Sequence, residues 1–210
     1  MFEDRADAGR RLAALVAERD VPADVVLAIP RGGLPLGRAV ADALDVPLDV
    51  AVAKKIGAPW NPELAIGAAA SDGSAWINEP LVADLGIARA DLESRRREAE
   101  RTARETVRRY RSKRPRIDRS GSDVVIVDDG VATGATMRAC LTQVRESGAA
   151  HVTVAVPVGP QETLSELAEQ AHSVVCLETP SSFGSVGQFY RSFGQVSDRE
   201  AMAFLDQRED

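Results

Sequence analysis

The chain has 210 residues, a formal net charge of −6 and a sequence pI near 5.1. That length suits one α/β domain with a small appendage, and the acidic balance excludes whole-molecule steering toward nucleic acid or anionic membrane. There is no 18-residue apolar run to span a bilayer, and the start, MFEDRADAGRR, lacks the apolar region of a secretory signal. Cys140 and Cys176 stand far apart in apolar surroundings, which is neither a disulfide framework nor a zinc pattern, so a reducing cytosol is expected.

In chain order, Ala8, Leu12, Leu15 and Val16 recur at helical spacing over 4–19, with acids early and Arg19 late, and Pro22 beyond the end. VVLAI at 25–29 is a continuous apolar run suited to a strand buried on both faces. The turn PRGG at 30–33 and a helix over 36–44 follow. LDVAVAKK at 48–55 reads as a second strand ending in Lys54 and Lys55. Gly57, Pro59, Asn61 and Pro62 make 56–64 a loop, and AIGAAA and SAWIN flank Asp72–Gly73 as a β-hairpin.

A short helix is expected between Pro80 and Gly86. A long one over 91–112 carries Leu92, Ala99, Ala103, Val107 and Tyr110 on one stripe and many arginines elsewhere. Those arginines read as a solvated face paired with Glu98, Glu100 and Glu105, with phosphate or RNA contact as the other reading. DVVIVDD at 123–129 is a third buried strand, followed by a helix over 135–147 closed by Gly148. HVTVAVPV at 151–158 and SVVCLE at 173–178 are further strands, separated by a helix over 162–170. His151 and His172 fall at strand starts, on the opposite edge from the candidate site. Segment 179–196 is rich in Gly, Ser and aromatics, and Ser197 with Glu200 forms a capping box for a last helix. Apolar strands alternating with helices predict a mostly parallel sheet covered on both faces.

The chemistry concentrates in VVIVDDGVATGAT, 124–136. Ligands of open parallel sheets sit at the carboxyl ends of strands, which is where Asp128 and Asp129 fall. Adjacent carboxylates repel and need a cation, hydroxyl donors or water. Gly130 and Gly134 allow close backbone approach, Thr133 and Thr136 supply hydroxyls, and the N–H groups of the next helix form an anion site. A sugar phosphate satisfies both halves. GxxxxGK[ST] is excluded because its lysine is absent here, and GxGxxG does not occur in this stretch.

This stretch resembles the 5-phosphoribosyl-1-pyrophosphate (PRPP) motif of type I phosphoribosyltransferases. The resemblance implies a parallel-sheet α/β fold in a single domain over 1–210, with a core at about 20–178, a β-hairpin and flexible-loop excursion, and a small hood from about 179–210. It implies that Asp128 and Asp129 hold the ribose hydroxyls while Ala132, Thr133, Gly134, Ala135 and Thr136 hold the 5-phosphate. Arg31, Gly32 and Gly33 take the positions of the pyrophosphate loop, with a cis peptide expected at Pro30–Arg31. One of Lys54 and Lys55, with Lys55 favoured, would reach the pyrophosphate. Glu63, within the expected flexible loop, would exchange a proton with the base, and Phe183, Phe189 and Tyr190 would stack on it or pack the last helix.

The implied activity is transfer of the 5-phosphoribosyl group of PRPP to a nitrogenous base with release of pyrophosphate. Mg²⁺ would be carried by PRPP oxygens and water, with Asp128 and Asp129 as the nearest protein carboxylates and no all-protein cage. A homodimer is a possible assembly. Ala132 stands where 6-oxopurine transferases carry an acid, and ATGAT is similar to the adenine pattern. RGG, KIGAPxNPE and DDGxATGAT, in that order, resemble a group of bacterial and archaeal phosphoribosyltransferase-domain proteins. The competing readings are a PRPP- or nucleotide-sensing regulator of the same fold, binding RNA through the arginine-rich helix, and a scaffold that has lost activity.

Overall fold

The computed structural model describes residues 1–111 and 117–206. The order of elements is α1 (Arg5–Glu18), β1 (Val25–Ala28), α2 (Gly33–Leu44), β2 (Leu48–Val50), β3 (Ala53–Ala58), β4 (Asn61–Ala70), β5 (Ala75–Ile77), α3 (Glu79–Asp84), α4 (Arg89–Arg111), β6 (Asp123–Val127), α5 (Ala135–Glu146), β7 (His151–Val158), α6 (Gln161–Ala168), β8 (Ser173–Glu178), a 3₁₀ turn (Val186–Phe189) and α7 (Asp198–Asp206). Ser112, the last residue of the expected long helix, lies outside the described residues.

Five strands form one parallel sheet in the order β2-β1-β6-β7-β8. The strands are apolar on both faces because helices cover both. Val26, Ala28, Val125 and Val127 point to the side of α1 and α2, where Leu12, Val16, Leu36 and Val40 are buried. Their neighbours Val25, Leu27, Val124 and Ile126 point the other way, onto Met137, Leu141 and Val144 of α5. The alternation is the period of a strand, so each residue's face follows from its parity.

The segment after β2 departs from expectation. LDVAVAKK is not one strand: β2 ends at Val50, the chain turns through Ala51 and Val52, and the lysine pair lies in β3 of a separate antiparallel sheet β3-β4-β5. Residues 56–64 are not an irregular loop either. Gly57, Pro59 and Pro62 form the bulged, tight tip of a hairpin, with Gly57 opposite Ala65 and Ala58 opposite Asn61. Proline is tolerated at such a bulged tip because ladder bonds are already interrupted there. The second hairpin, around Asp72–Gly73, has the expected place, with Ala69 opposite Ala75.

On α4 the ion pairs use different acids from those expected. Glu93 takes Arg96 and Arg97, and Glu100 takes Arg96 and Arg104. Glu100 is common to both accounts; for Glu98 and Glu105 no such pair is seen among the described residues. The end of α4 is anchored to the sheet by a bidentate pair, Arg111 to buried Asp49, with Nε to Oδ1 at 2.9 Å and a second bond of 2.7 Å to Oδ2. Among the described residues no helix is long and apolar enough to cross a membrane.

Candidate active site

Strand β6 carries the acid pair out of the sheet between β1 and β7. Val127 is wholly buried, and Asp128 and Asp129 follow it at the carboxyl edge, partly buried. The turn PRGG leaves β1 at the same edge, with a cis peptide between Pro30 and Arg31. The two turns press together: a Cβ on Gly32 would lie 2.0 Å from Asp129 Oδ2 and 2.6 Å from its Cγ. No other residue type leaves room for the carboxylate there. Gly134, with φ of +73°, turns the chain into α5, which no side chain caps. The free N–H groups of its first turn are therefore available to an anion. Ala132 and Thr133 are exposed on this loop and Thr136 is half-buried.

The repulsion between the acids is relieved by a residue that no local pattern announces. Arg5, at the start of α1, donates from Nε to Asp129 Oδ2 at 2.7 Å. Its guanidinium lies 3.9 Å from the centre of the Phe193 ring and donates to the Gly194 carbonyl at 2.6 Å. Arg5 is brought here because the first residues pair with the aromatic segment. Phe2 N–H donates to the Phe189 carbonyl, and Arg191 N–H to the Phe2 carbonyl. Asp128 Oδ1 accepts from the Asp129 N–H at 2.8 Å.

Burial and the Asp129 charge together raise the Asp128 carboxyl well above its ordinary pKa. Burial also raises Asp129, and Arg5 works against that rise. Asp128 thus binds its proton more tightly in the folded chain than in the unfolded one. Its contribution to stability is complete below the ordinary value of 3.8 and is lost as pH climbs through the raised folded value. Asp128→Asn cannot ionise and can still accept the Asp129 N–H. Its melting temperature relative to wild type is expected to climb as pH rises above the ordinary value of 3.8 and through the raised folded value. A constant difference between the two proteins at every pH would mean that Asp128 ionises without penalty.

The lysine pair divides as strand alternation requires. Lys54, half-buried, faces the loop of β1, and burial followed by the nearby Arg31 charge lowers its pKa. Lys55 faces the other way and pairs with Glu63 Oε2 at 3.0 Å. Glu63 itself is almost fully exposed at the start of β4. Arg31 is exposed and lies 3.8 Å from Asp198, which in turn binds Arg109 and accepts from the Tyr110 hydroxyl at 3.0 Å.

The three aromatics singled out in the sequence are mostly packed. Phe183 and Phe189 lie against each other with ring centres 5.1 Å apart. Tyr190 is buried, and its hydroxyl donates to the Asp129 carbonyl at 2.6 Å. The ring open to solvent beside the acids is Phe193, which sequence reasoning passes over along with Arg5. Among the described residues no group of three or more His, Cys, Asp or Glu could hold a metal ion. His151 pairs with Asp123 at the opposite edge of the sheet.

The family model "Phosphoribosyl transferase domain" matches residues 2–193. "Putative phosphoribosyl transferase Rv0571c" of Mycobacterium tuberculosis is 45% identical over 206 residues, covering 98% of this chain and 46% of that protein. The chain spans about half the length of the curated relatives it matches. The crystal structure of TT1426 from Thermus thermophilus superposes with a TM-score of 0.82 at 41% identity, over 98% of this chain and 97% of that one.

Proposed function

The chain belongs to the phosphoribosyl transferase domain family, and from that premise we propose that it transfers the 5-phosphoribosyl group of PRPP to a nitrogenous base, releasing pyrophosphate. The observation that carries this reading is the contact of the acid pair with the PRGG turn beside the uncapped start of α5. One sugar bearing a phosphate at one end and a diphosphate at the other would meet a suitable group at each point.

In this reading Asp128 and Asp129 accept hydrogen bonds from the ribose hydroxyls. Asp129 keeps Oδ1 for the sugar while Oδ2 stays on Arg5. The loop from Ala132 to Thr136 takes the 5-phosphate through N–H groups and the Thr133 and Thr136 hydroxyls. The bond from ribose C1 to the diphosphate oxygen breaks, a bond from C1 to the acceptor nitrogen forms, and that nitrogen gives up its proton. Negative charge grows on the departing diphosphate, where Arg31, the Gly32 and Gly33 backbone and a lysine stabilise it. Lys54, beside Arg31, suits that role better than Lys55, which is turned to Glu63.

The PRPP diphosphate would carry Mg²⁺ with its water, adding positive charge at the leaving group. The acid pair fits that arrangement, since one oxygen of each carboxylate is already engaged within the chain. Glu63 is the proposed proton acceptor and Phe193, together with Phe183, Phe189 and Tyr190, the aromatic wall near the base. Two free cysteines suit work in a reducing cytosol.

The test is incubation with Mg²⁺, PRPP and a panel of nitrogenous bases, following pyrophosphate release. Turnover with at least one base is expected, and Lys54→Ala should cut it by about 10²-fold, the scale for removing one charge-stabilising donor. Lys55→Ala should cost far less. Tight PRPP binding with no turnover on any base would remove the transferase reading. A larger loss in Lys55→Ala than in Lys54→Ala would reverse the lysine assignment.

A further inference from the structure

A second recess lies on α4, the helix whose Arg109 and Tyr110 hold Asp198. It has a volume of about 320 Å³ and opens between the last turns of α4, the β4–β5 turn, α5 and the segment leading into β6. Arg104, Val107, Arg108 and Arg111 follow the spacing i, i+3, i+4, i+7, so one face of α4 forms a wall. Ser71, Gln143 and Arg119 close the other sides. Gln143 is buried and donates to the Ser71 hydroxyl at 3.0 Å, and Arg119 is 3% exposed. Gln143, Arg111 and Arg119 thus form a partnered inner wall, while Arg104 and Arg108 stand exposed at the mouth.

The charge inside is opposite in sign to that of the whole molecule. Four guanidinium groups meet three carboxylates, Asp49, Asp72 and Glu100, in a chain whose net charge is −6. Arg111 and Arg119 share one acid, Asp49. For Arg108 no ion pair is seen among the described residues. Arg104 also donates to the Ser71 carbonyl, and Arg111 and Arg119 to the Val50 carbonyl, so the donors open to an anion are those of the exposed Arg104 and Arg108, each guanidinium carrying five N–H groups.

We infer that this recess binds a small phosphate-bearing anion, at a site separate from the acid pair. A phosphate offers the acceptor-only, multiply charged surface that converging guanidinium groups recognise. RNA is the weaker fit. Among the described residues, Arg96 and Arg97, nearer the start of α4, are both paired with Glu93, which interrupts the basic face on that side of the recess. The separation from the proposed catalytic groups is plain on the same helix: Arg109 and Tyr110 bind Asp198, the partner of Arg31, while Arg108 and Arg111 face the recess.

Inorganic pyrophosphate, without Mg²⁺, is the probe, titrated by calorimetry into Arg31→Ala protein so that the proposed catalytic site is weakened. Adding Arg104→Ala with Arg108→Ala should reduce the remaining pyrophosphate affinity about tenfold or more, as expected when charge-assisted hydrogen bonds are lost. Arg97→Ala with Arg101→Ala removes the same charge from the outer face and should leave affinity within about twofold. Melting curves check that each variant is folded, and turnover with PRPP in the Arg104→Ala, Arg108→Ala protein reads the proposed transferase activity separately. Equal losses in the two double variants, or none in either, would overturn the site. Binding of a single-stranded RNA that needs Arg104 and Arg108, with pyrophosphate indifferent to them, would overturn the small-anion reading in favour of RNA.

Discussion

Changing Asp128 and Asp129 together to asparagine is expected to weaken PRPP binding by about a hundredfold or more, since two hydroxyl bonds to charged acceptors are lost. The fold should survive. Both side chains stand beyond the last core residue of β6, Val127, and the amide at 128 can still accept from the next N–H. The one structural cost lies at Arg5, which would keep its contact with Phe193 and Gly194 but lose its counter-charge. A partly buried cation without its partner destabilises. Arg5→Gln in the same background should therefore recover part of the melting temperature without recovering PRPP affinity. Unchanged PRPP affinity in the double asparagine protein would sink the assignment of the sugar to this pair.

Gly32→Ala reaches the same carboxylate without altering any charge. The added methyl cannot remain 2.0 Å from Asp129 Oδ2, and the obstructing atom is the end of a side chain. The carboxylate must therefore swing away, which breaks the 2.7 Å contact with Arg5 and withdraws Oδ1 from the sugar. An affinity loss of about tenfold or more for PRPP is expected, with a smaller effect on stability than a core substitution. If the methyl acts through Asp129, Gly32→Ala should add little to Asp129→Asn. Full additivity of the two losses would place the effect elsewhere in the PRGG turn.

The parts of the molecule that are legible in the sequence are those written locally. A buried parallel strand is a short apolar run, and VVLAI, VVIV and HVTVAVPV each lie where their composition puts them. The acid pair and the loop into α5 are consecutive residues, so their placement at one strand end follows from where β6 stops. The cis peptide at Pro30–Arg31 is also present.

What is not legible depends on distance along the chain. Arg5 meets Asp129 across 124 positions, and nothing in the periodicity of α1 distinguishes it from Arg10 or Arg11. Tyr110 reads as one more apolar position of α4, yet its hydroxyl holds Asp198 of α7. The hairpin tip at 59–61 reads as a loop because turn residues mark a hairpin end and a loop alike. Placing Lys54 and Lys55 at the end of a central strand overlooks the break after Val50, where the chain leaves one sheet to begin another.

The pairing of the first residues with the aromatic segment has a bearing on how the protein is handled. Phe2 is wholly buried between α1 and Tyr190, and the ammonium of Met1 sits on Glu178 at 2.9 Å. The segment around Phe2 and Glu3 thus acts as a latch: it holds Arg5 over the acids and Phe193 over Arg5. Affinity tags and trimmed variants are usually designed as if the first few residues were dispensable. On this chain a change within residues 1–4 would pull on the counter-charge of the proposed sugar site, because Arg5 follows them directly as the first residue of α1.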